Sequence, residues 1–302
     1  MNTDAAASAM AEFEAHRSAL AGIAYRMLGS HSDTEDVLQD AWLRWRDVDP
    51  AQVEDGRRYL ARVVSNLCLD RLKSARAARE VYVGSWLPEP IVSDDTWSHS
   101  PPEVQSELAE DLSVALMLAL ERLSPQERAA FILHDVFGFS FDDLAEMLDK
   151  TGAACRKLAS RARSQLKREA PRYQLPISEA EKVAAAFSRA ISEGDIEGLT
   201  AILTEDARFV SDGGGVVAAV PKPVLGAAKV AKVLIGFAKL YRGRDDVVFR
   251  PAQINGMAGF VISEGEEGVT QTVALEINDD RRIRNVYIVR NPHKLRHVQA
   301  RT

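Results

Sequence analysis

The chain has 302 residues, 46% of them hydrophobic and 27% charged, with a formal net charge of −6. That length suits about two domains with ordinary cores, and no apolar run approaches the roughly 20 residues that a membrane helix needs. The first residues lack the basic start and apolar core of a signal peptide, and two cysteines, Cys68 and Cys155, are too few for a metal cage or a disulfide framework, so a cytoplasmic protein with no membrane association, metal or cofactor is expected.

The charge is unevenly distributed. Arg57, Arg58, Arg62, Arg71, Lys73, Arg76 and Arg79 stand against Asp70 alone, and Arg156, Lys157, Arg161, Arg163, Lys167 and Arg168 have no acid among them. Between Glu80 and Glu121 there is no Lys or Arg, but Glu89, Asp94, Asp95, Glu103, Glu107, Glu110 and Asp111. Two basic modules flanking an acidic connector are the electrostatic footprint of a nucleic-acid partner, which the net charge conceals.

In chain order, residues 8–80 form the first module. Phe13, Leu20, Ile23, Ala24 and Met27 recur at helical spacing up to Gly29. Ser32-Asp-Thr-Glu35 reads as a capping box for a second helix that buries Val37, Leu38, Ala41 and Trp45 and exposes Asp33, Asp36, Gln39 and Asp40. Acids near a helix N-terminus are favourable for Asp33 and Asp36 but not for Asp40, which lies too far along. After a loop at 47–56, a third helix from about Arg57 to Arg79 turns Leu60, Val64, Leu67 and Cys68 inward and Arg62, Asn66 and Lys73 outward. Asn66 offers a base edge both a donor and an acceptor; a solvated surface Asn remains open at this point.

Residues 81–112 hold Pro88, Pro90, Pro101 and Pro102, which exclude a continuous helix. Trp86 and Trp97 argue that this polar connector docks on a neighbouring surface. Residues 113–170 end in two short helices joined by a turn at Thr151-Gly152. The first has an apolar stripe of Phe141, Leu144, Ala145 and Leu148 and a capping box from Ser140 to Asp143. The second turns Cys155, Leu158, Ala159, Ala162 and Leu166 to the core and Arg156, Lys157, Ser160, Arg163 and Ser164 outward. That fits a helix reading a major groove, and equally an amphipathic helix with a solvated basic face.

In residues 176–302, Ser178-Glu-Ala-Glu181 reads as a capping box, followed by helices to Gly194 and over Ile196–Leu203. Strand-like runs follow at Ala207–Ser211, Val247–Phe249, Gly259–Ser263, Val269–Ile277 and Ile283–Val289, with a helix over Ala227–Tyr241 and a hairpin turn at Asp279-Asp280. Asp212-Gly-Gly-Gly215 gives a backbone that can be approached closely. No acid–base pair is apparent among Asp206, Asp212, His293 and His297, so no enzyme is expected.

Asp36-Val-Leu-Gln-Asp40 in its helical setting resembles region 2 of an extracytoplasmic-function (ECF) sigma factor. Ser124-Pro-Gln-Glu-Arg128 with the helix pair after it resembles region 4. Trp86-Leu-Pro-Glu-Pro90, Asp212-Gly-Gly-Gly215 and Asn291-Pro-His-Lys-Leu295 are similar to strings of the subgroup with a fused C-terminal SnoaL-like (NTF2-like) domain. That subgroup usually has Lys and Asp where Val216 and His293 stand here. The resemblance implies a multidomain fold: two all-α sigma domains, a region 2 helical bundle and a region 4 helix-turn-helix, plus a C-terminal α+β cone. It implies binding of core RNA polymerase through Asp33, Asp36, Gln39 and Asp40 on the β′ clamp helices, with the β flap as a further contact. The −10 promoter element would be met by Arg57, Arg58, Arg62, Asn66 and Lys73, and the −35 element by Arg156, Lys157, Ser160, Arg161 and Arg163. Trp86, Leu87, Pro88, Glu89, Pro90, Asp212, Gly213, Gly214, Gly215, Asn291, Pro292, Lys294 and Leu295 would form an interdomain regulatory contact that dispenses with a separate anti-sigma factor. An unknown small-molecule ligand in the C-terminal pocket is a further implied partner. The alternative is a ligand-binding or enzymatic NTF2-like protein with a DNA-binding front end.

Overall fold

The computed structural model describes residues 3–49, 52–80, 82–93, 112–167 and 175–299, with the side chains of 3–6 and 74–80 excepted. Trp97, the acids at 94, 95, 103, 107, 110 and 111, Pro101, Pro102 and Arg168, and the side chains of Arg76 and Arg79, lie outside the described residues. The chain divides into two compact units, residues 1–80 with 116–170 and residues 81–115 with 171–302.

In the first unit, α1 (Thr3–Leu28), α2 (His31–Trp45) and α3 (Gly56–Glu80) form a bundle. Their predicted inward residues, Phe13, Leu20, Ile23, Met27, Val37, Leu38, Trp45, Leu60, Val64 and Cys68 among them, are all buried. Trp45 donates its indole N–H to Ala9 O at 2.8 Å, which locks the end of α2 to the start of α1. The cap of α2 is Ser30, not Ser32. Ser30 is extended (φ −130°, ψ 125°) and accepts from the Asp33 amide, while Glu35, the expected partner of Ser32, pairs with Arg17 at 2.8 Å.

The second part of this unit comprises α4 (Val114–Glu121), α5 (Pro125–Phe131), a π-helical turn (Ile132–Val136), α6 (Phe141–Leu148) and α7 (Gly152–Leu166). Ser124 and Glu127 form a reciprocal capping box at α5. The next residue, Arg128, is only 3% exposed and donates to Met27 O at 2.6 Å while pairing with Glu121 at 2.8 Å. Burial lowers its pKa to about 10, so it stays charged near neutrality. The Ser-Pro-Gln-Glu-Arg string is thus a helix start followed by a buried bolt onto the end of α1. At α6 both hydrogen bonds of the Ser140–Asp143 box form. The turn to α7 sits earlier than expected: Asp149 takes the left-handed conformation (φ 51°), and Thr151 caps α7 by accepting from the Ala154 amide. A short polar side chain tolerates that conformation, so no glycine is needed.

The second unit is an α+β cone. A curved sheet runs in the order β2-β1-β6-β5-β4-β3. Its strands are β1 (Leu203–Asp212), β2 (Val224–Leu225), β3 (Val247–Ile254), β4 (Met257–Glu264), β5 (Gly268–Ile277) and β6 (Ile283–Val289). β1 and β6 are parallel and the other pairs antiparallel. Register shifts in β4 and at the end of β5 bend the sheet. Three helices, α8 (Ile177–Glu193), α9 (Ile196–Ile202) and α10 (Ala227–Ala238), share one core with it through Phe187, Leu199, Val230, Leu234, Phe209, Phe260 and Val286. α8 starts at Ile177 with Pro176 as its cap and no capping side-chain bond, so Ser178–Glu181 is not a box; Glu179 pairs with Lys182 instead. The strand β2 has no signature in the sequence. The β5–β6 turn is centred on Asp279-Asp280 as expected, closed by the Arg281 amide donating to Asn278 O at 3.0 Å, with Arg281 in the left-handed region (φ 58°).

Candidate functional site

On α2, Asp33, Asp36 and Gln39 are exposed and Asp40 is half-buried. Arg71, reaching across from α3, lies 3.4 Å from Asp33, 3.4 Å from Asp36 and 3.2 Å from Asp40. Three acids that read as a free ladder therefore share one guanidinium. Beside them, between α1 and α2, is a groove of about 260 Å³ with Phe13, Leu38 and Trp42 on its walls and Glu14, Asp36, Gln39 and the paired Arg17 and Glu35 around it.

The residues expected at the −10 element divide into two groups. Arg62 and Lys73 are exposed and Asn66 half-buried along α3, with Lys73 paired to Asp70 at 2.8 Å. Arg57 and Arg58, at the start of α3, are held by the helix-turn-helix. Arg57 donates to Phe137 O at 2.8 Å and lies 4.8 Å from the Phe139 ring centre. Arg58 pairs with Asp143 at 3.2 Å, so the carboxylate that caps α6 also holds α3. Ser140 and then Arg58 keep the Asp143 carboxyl below its ordinary pKa, and the hydrogen bond to Asp143 raises that of Arg58. The −35 set divides similarly. Arg156, Lys157, Ser160 and Arg161 are exposed on α7, with Arg156 5.6 Å from the Phe141 ring centre, whereas Arg163 is half-buried and bonded to Asp135 at 2.6 Å.

In the second unit, the three strings meet at one carboxylate. Asp212 ends β1 with no exposed surface. It accepts from the Tyr82 hydroxyl at 2.6 Å, the Leu87 amide at 2.8 Å, the Gly214 amide at 2.9 Å and Lys294 Nζ at 2.8 Å. Lys294 also donates to Leu87 O and lies 4.5 Å from the Trp86 ring centre and 5.0 Å from that of Tyr82. Both peptide groups of Leu87 are thereby held, and its side chain is fully buried. The glycines have steric reasons. A Cβ on Gly213 would strike Val217 O, and one on Gly214, which has φ 62°, would strike the Asn291 amide. Asn291 caps a single helical turn, Pro292–Lys294, which aims Lys294 inward, and donates to the Tyr82 oxygen at 3.0 Å. Pro88, Glu89, Pro90 and Leu295 are buried, while Gly215 and Pro292 are exposed. His293 is exposed and contributes its backbone amide to Asn291, and the exposed Val216 stands apart from the Asp212 bonds.

Three partners escaped the sequence reading. Tyr82 is one. His297 Nε2 donates to Pro90 O at 2.7 Å, and Asn255 exchanges bonds with Ile91, its side-chain oxygen accepting at 3.1 Å and its amide donating at 2.7 Å. With the Val92–Ile254 bridge and the Ser93 amide on Gln253 O, the Asn255 bonds lay residues 91–93 along the end of β3. Only Asn255 carried a local sign, as the Asn-Gly turn of a hairpin.

The cone also encloses a cavity of about 340 Å³ between α8, α10 and the sheet. Among the described residues, no helix is long and apolar enough to cross a membrane.

Residues 13–78 match the Sigma-70 region 2 family and residues 113–166 the Sigma-70, region 4 family. The ECF RNA polymerase sigma factor SigJ of Mycobacterium tuberculosis is 38% identical over 233 residues, 77% of this chain and 74% of that protein. The probable ECF RNA polymerase sigma factor SigI of the same species is 33% identical over 197 residues, 64% of this chain and 66% of that protein. The crystal structure of M. tuberculosis SigJ superposes with a TM-score of 0.77 at 31% identity, covering 97% of this chain and 100% of that one. With both sigma regions present and a relative of this identity and coverage, the chain belongs to the extracytoplasmic-function RNA polymerase sigma factors.

Proposed function

We propose that the protein binds core RNA polymerase, directs it to particular promoters, and is held in check in cis by its own C-terminal cone. The observation that carries the regulatory half is the Asp212 clamp. The chain leaves α3 at Glu80 and is fastened to the cone from Tyr82 to Ser93. The polymerase's β′ clamp helices would occupy the groove beside Asp33, Asp36, Gln39 and Asp40, competing with Arg71 for the acids, and the β flap would take region 4. Arg57, Arg58, Arg62, Asn66 and Lys73 would meet the −10 element, and Arg156, Lys157, Ser160, Arg161 and Arg163 the −35 element. Arg57, Arg58 and Arg163 are engaged within the first unit, so promoter binding requires that unit to open. The closed-state free energy then sets the active fraction. No separate anti-sigma factor is needed in this scheme.

Transcription by core polymerase on a pool of genomic promoter fragments tests it, with the intact chain and with Asp212→Ala. The intact chain should support weak, promoter-specific initiation, and the variant markedly more from the same start sites. No specific initiation by either protein would refute the sigma reading, and equal initiation by both would refute the control in cis. A ligand-binding role of the cone is the second reading, favoured by its cavity.

A further inference from the structure

The cavity has a one-sided chemistry. Its walls carry the rings of Phe187, Phe209, Phe237, Phe249 and Phe260, and its lining includes no carboxylate and no imidazole. Every charged side chain that lines it is a cation: Lys239 and Arg242, both exposed, and Arg290, half-buried at the end of β6. Arg290 donates one guanidinium N–H to Ala218 O, but its Nε–H is buried and meets no partner. A ligand acceptor placed there would pair a buried donor that otherwise goes unsatisfied. Close by, Gln271 donates to the Tyr241 hydroxyl at 2.7 Å, a second polar pair within an otherwise apolar chamber.

We propose that this cavity is a binding site for a small aromatic or polycyclic anion. The rings stack among the phenylalanines, and a carboxylate, sulfonate or comparable oxyanion addresses Arg290, with Tyr241 and Gln271 completing the polar end. Size supports this assignment, since pockets for small organic ligands begin at roughly 300 Å³. Charge supports it as well. With cations and no carboxylate among the lining residues, the site favours an anion over a neutral molecule of the same shape. A cationic ligand is excluded by the same groups.

Titration calorimetry on the intact chain tests the site with two probes of nearly equal shape, 8-anilinonaphthalene-1-sulfonate and the neutral N-phenyl-1-naphthylamine. The sulfonate should bind at one site per chain, about tenfold or more tighter than the neutral probe. Arg290→Gln should erase that preference and leave the neutral probe's affinity unchanged. Ser188→Trp, which projects an indole into the cavity from α8, should abolish binding of both, with circular dichroism reporting the fold. If that variant does not fold, Arg290→Gln decides alone. Absence of binding, equal affinity for the two probes, an unchanged preference in Arg290→Gln, or unchanged binding in a folded Ser188→Trp would each overturn the proposal. None of these outcomes depends on promoter recognition.

Discussion

Arg58–Asp143 in the first unit and Lys294–Asp212 in the second are the same chemistry in different surroundings. Each joins a cation to a carboxylate over 80 residues away in sequence, 85 and 82 respectively. The side chains of the first pair are 33% and 25% exposed, those of the second 9% and 0%. The first pair is partly solvated and can be exchanged for water at modest cost. The second is buried with every donor aimed at it, so removing one partner strands the other in a dry site. Burial therefore makes the first pair a contact that water can replace and the second a structural joint.

The comparison breaks most readily at Asp212. Asp212→Ala leaves the Lys294 ammonium buried without its carboxylate and should cost about 3–5 kcal/mol. Hydrogen exchange at the Leu87 amide, which bonds to Asp212, should accelerate by two orders of magnitude or more. Unchanged protection there would show that the joint is not stiff. Gly214→Ala comes next. A side chain at φ 62° pressed against Asn291 should cost about 1–3 kcal/mol, read as a lower urea midpoint for the cone; a wild-type midpoint would show that Asn291 moves aside freely. Ser140→Ala removes the cap of α6 and should cost about 1 kcal/mol, confined to exchange in α6 and α7. Spread into the cone, the effect would contradict the division into units.

The first pair itself should respond most weakly. Arg58→Gln should leave thermal unfolding where it was but increase exchange at the start of α6. Roughly 0.5 M salt should mimic it in the wild type by screening an exposed pair while leaving Leu87 protected. Acid gives a further handle. The Asp143 carboxyl titrates below its ordinary value, so its contribution is complete above the unfolded carboxylate pKa of about 3.9 and is lost as pH falls through the lower, folded value. A contact that survived both high salt and acid would show that Arg57 and the packing of α3 on α6 hold the modules together instead.

Local patterns were legible where one face had to be buried. Leu60, Val64, Leu67 and Cys68 on α3, and Cys155, Ala159, Ala162 and Leu166 on α7, are buried as their spacing requires. The strands over 257–264, 268–277 and 283–289 stand where alternation put them. The misses share a different cause. Ser30 rather than Ser32 caps α2 while Glu35 pairs with Arg17, and the pairing of Asp33, Asp36 and Asp40 comes from a side chain over 30 residues later. Periodicity carries no information about such pairings. The three conspicuous strings meet within the second unit, but their order in the chain gave no hint that Asp212 is the point on which Tyr82, Leu87 and Lys294 converge.

The clamp also sets a length. With residues 82–93 fastened to the cone, the run between Ser93 and Leu112 is residues 94–111, 18 peptide units whose fully stretched reach is roughly 60 Å. Unfastened, the run from α3 to Leu112 becomes residues 81–111, 31 units with a reach of roughly 105 Å. Releasing the whole of residues 82–93 from the cone would thus lengthen the unfastened part of the connector before Leu112 by more than half, so the contacts that Asp212 anchors set a length as well as a position.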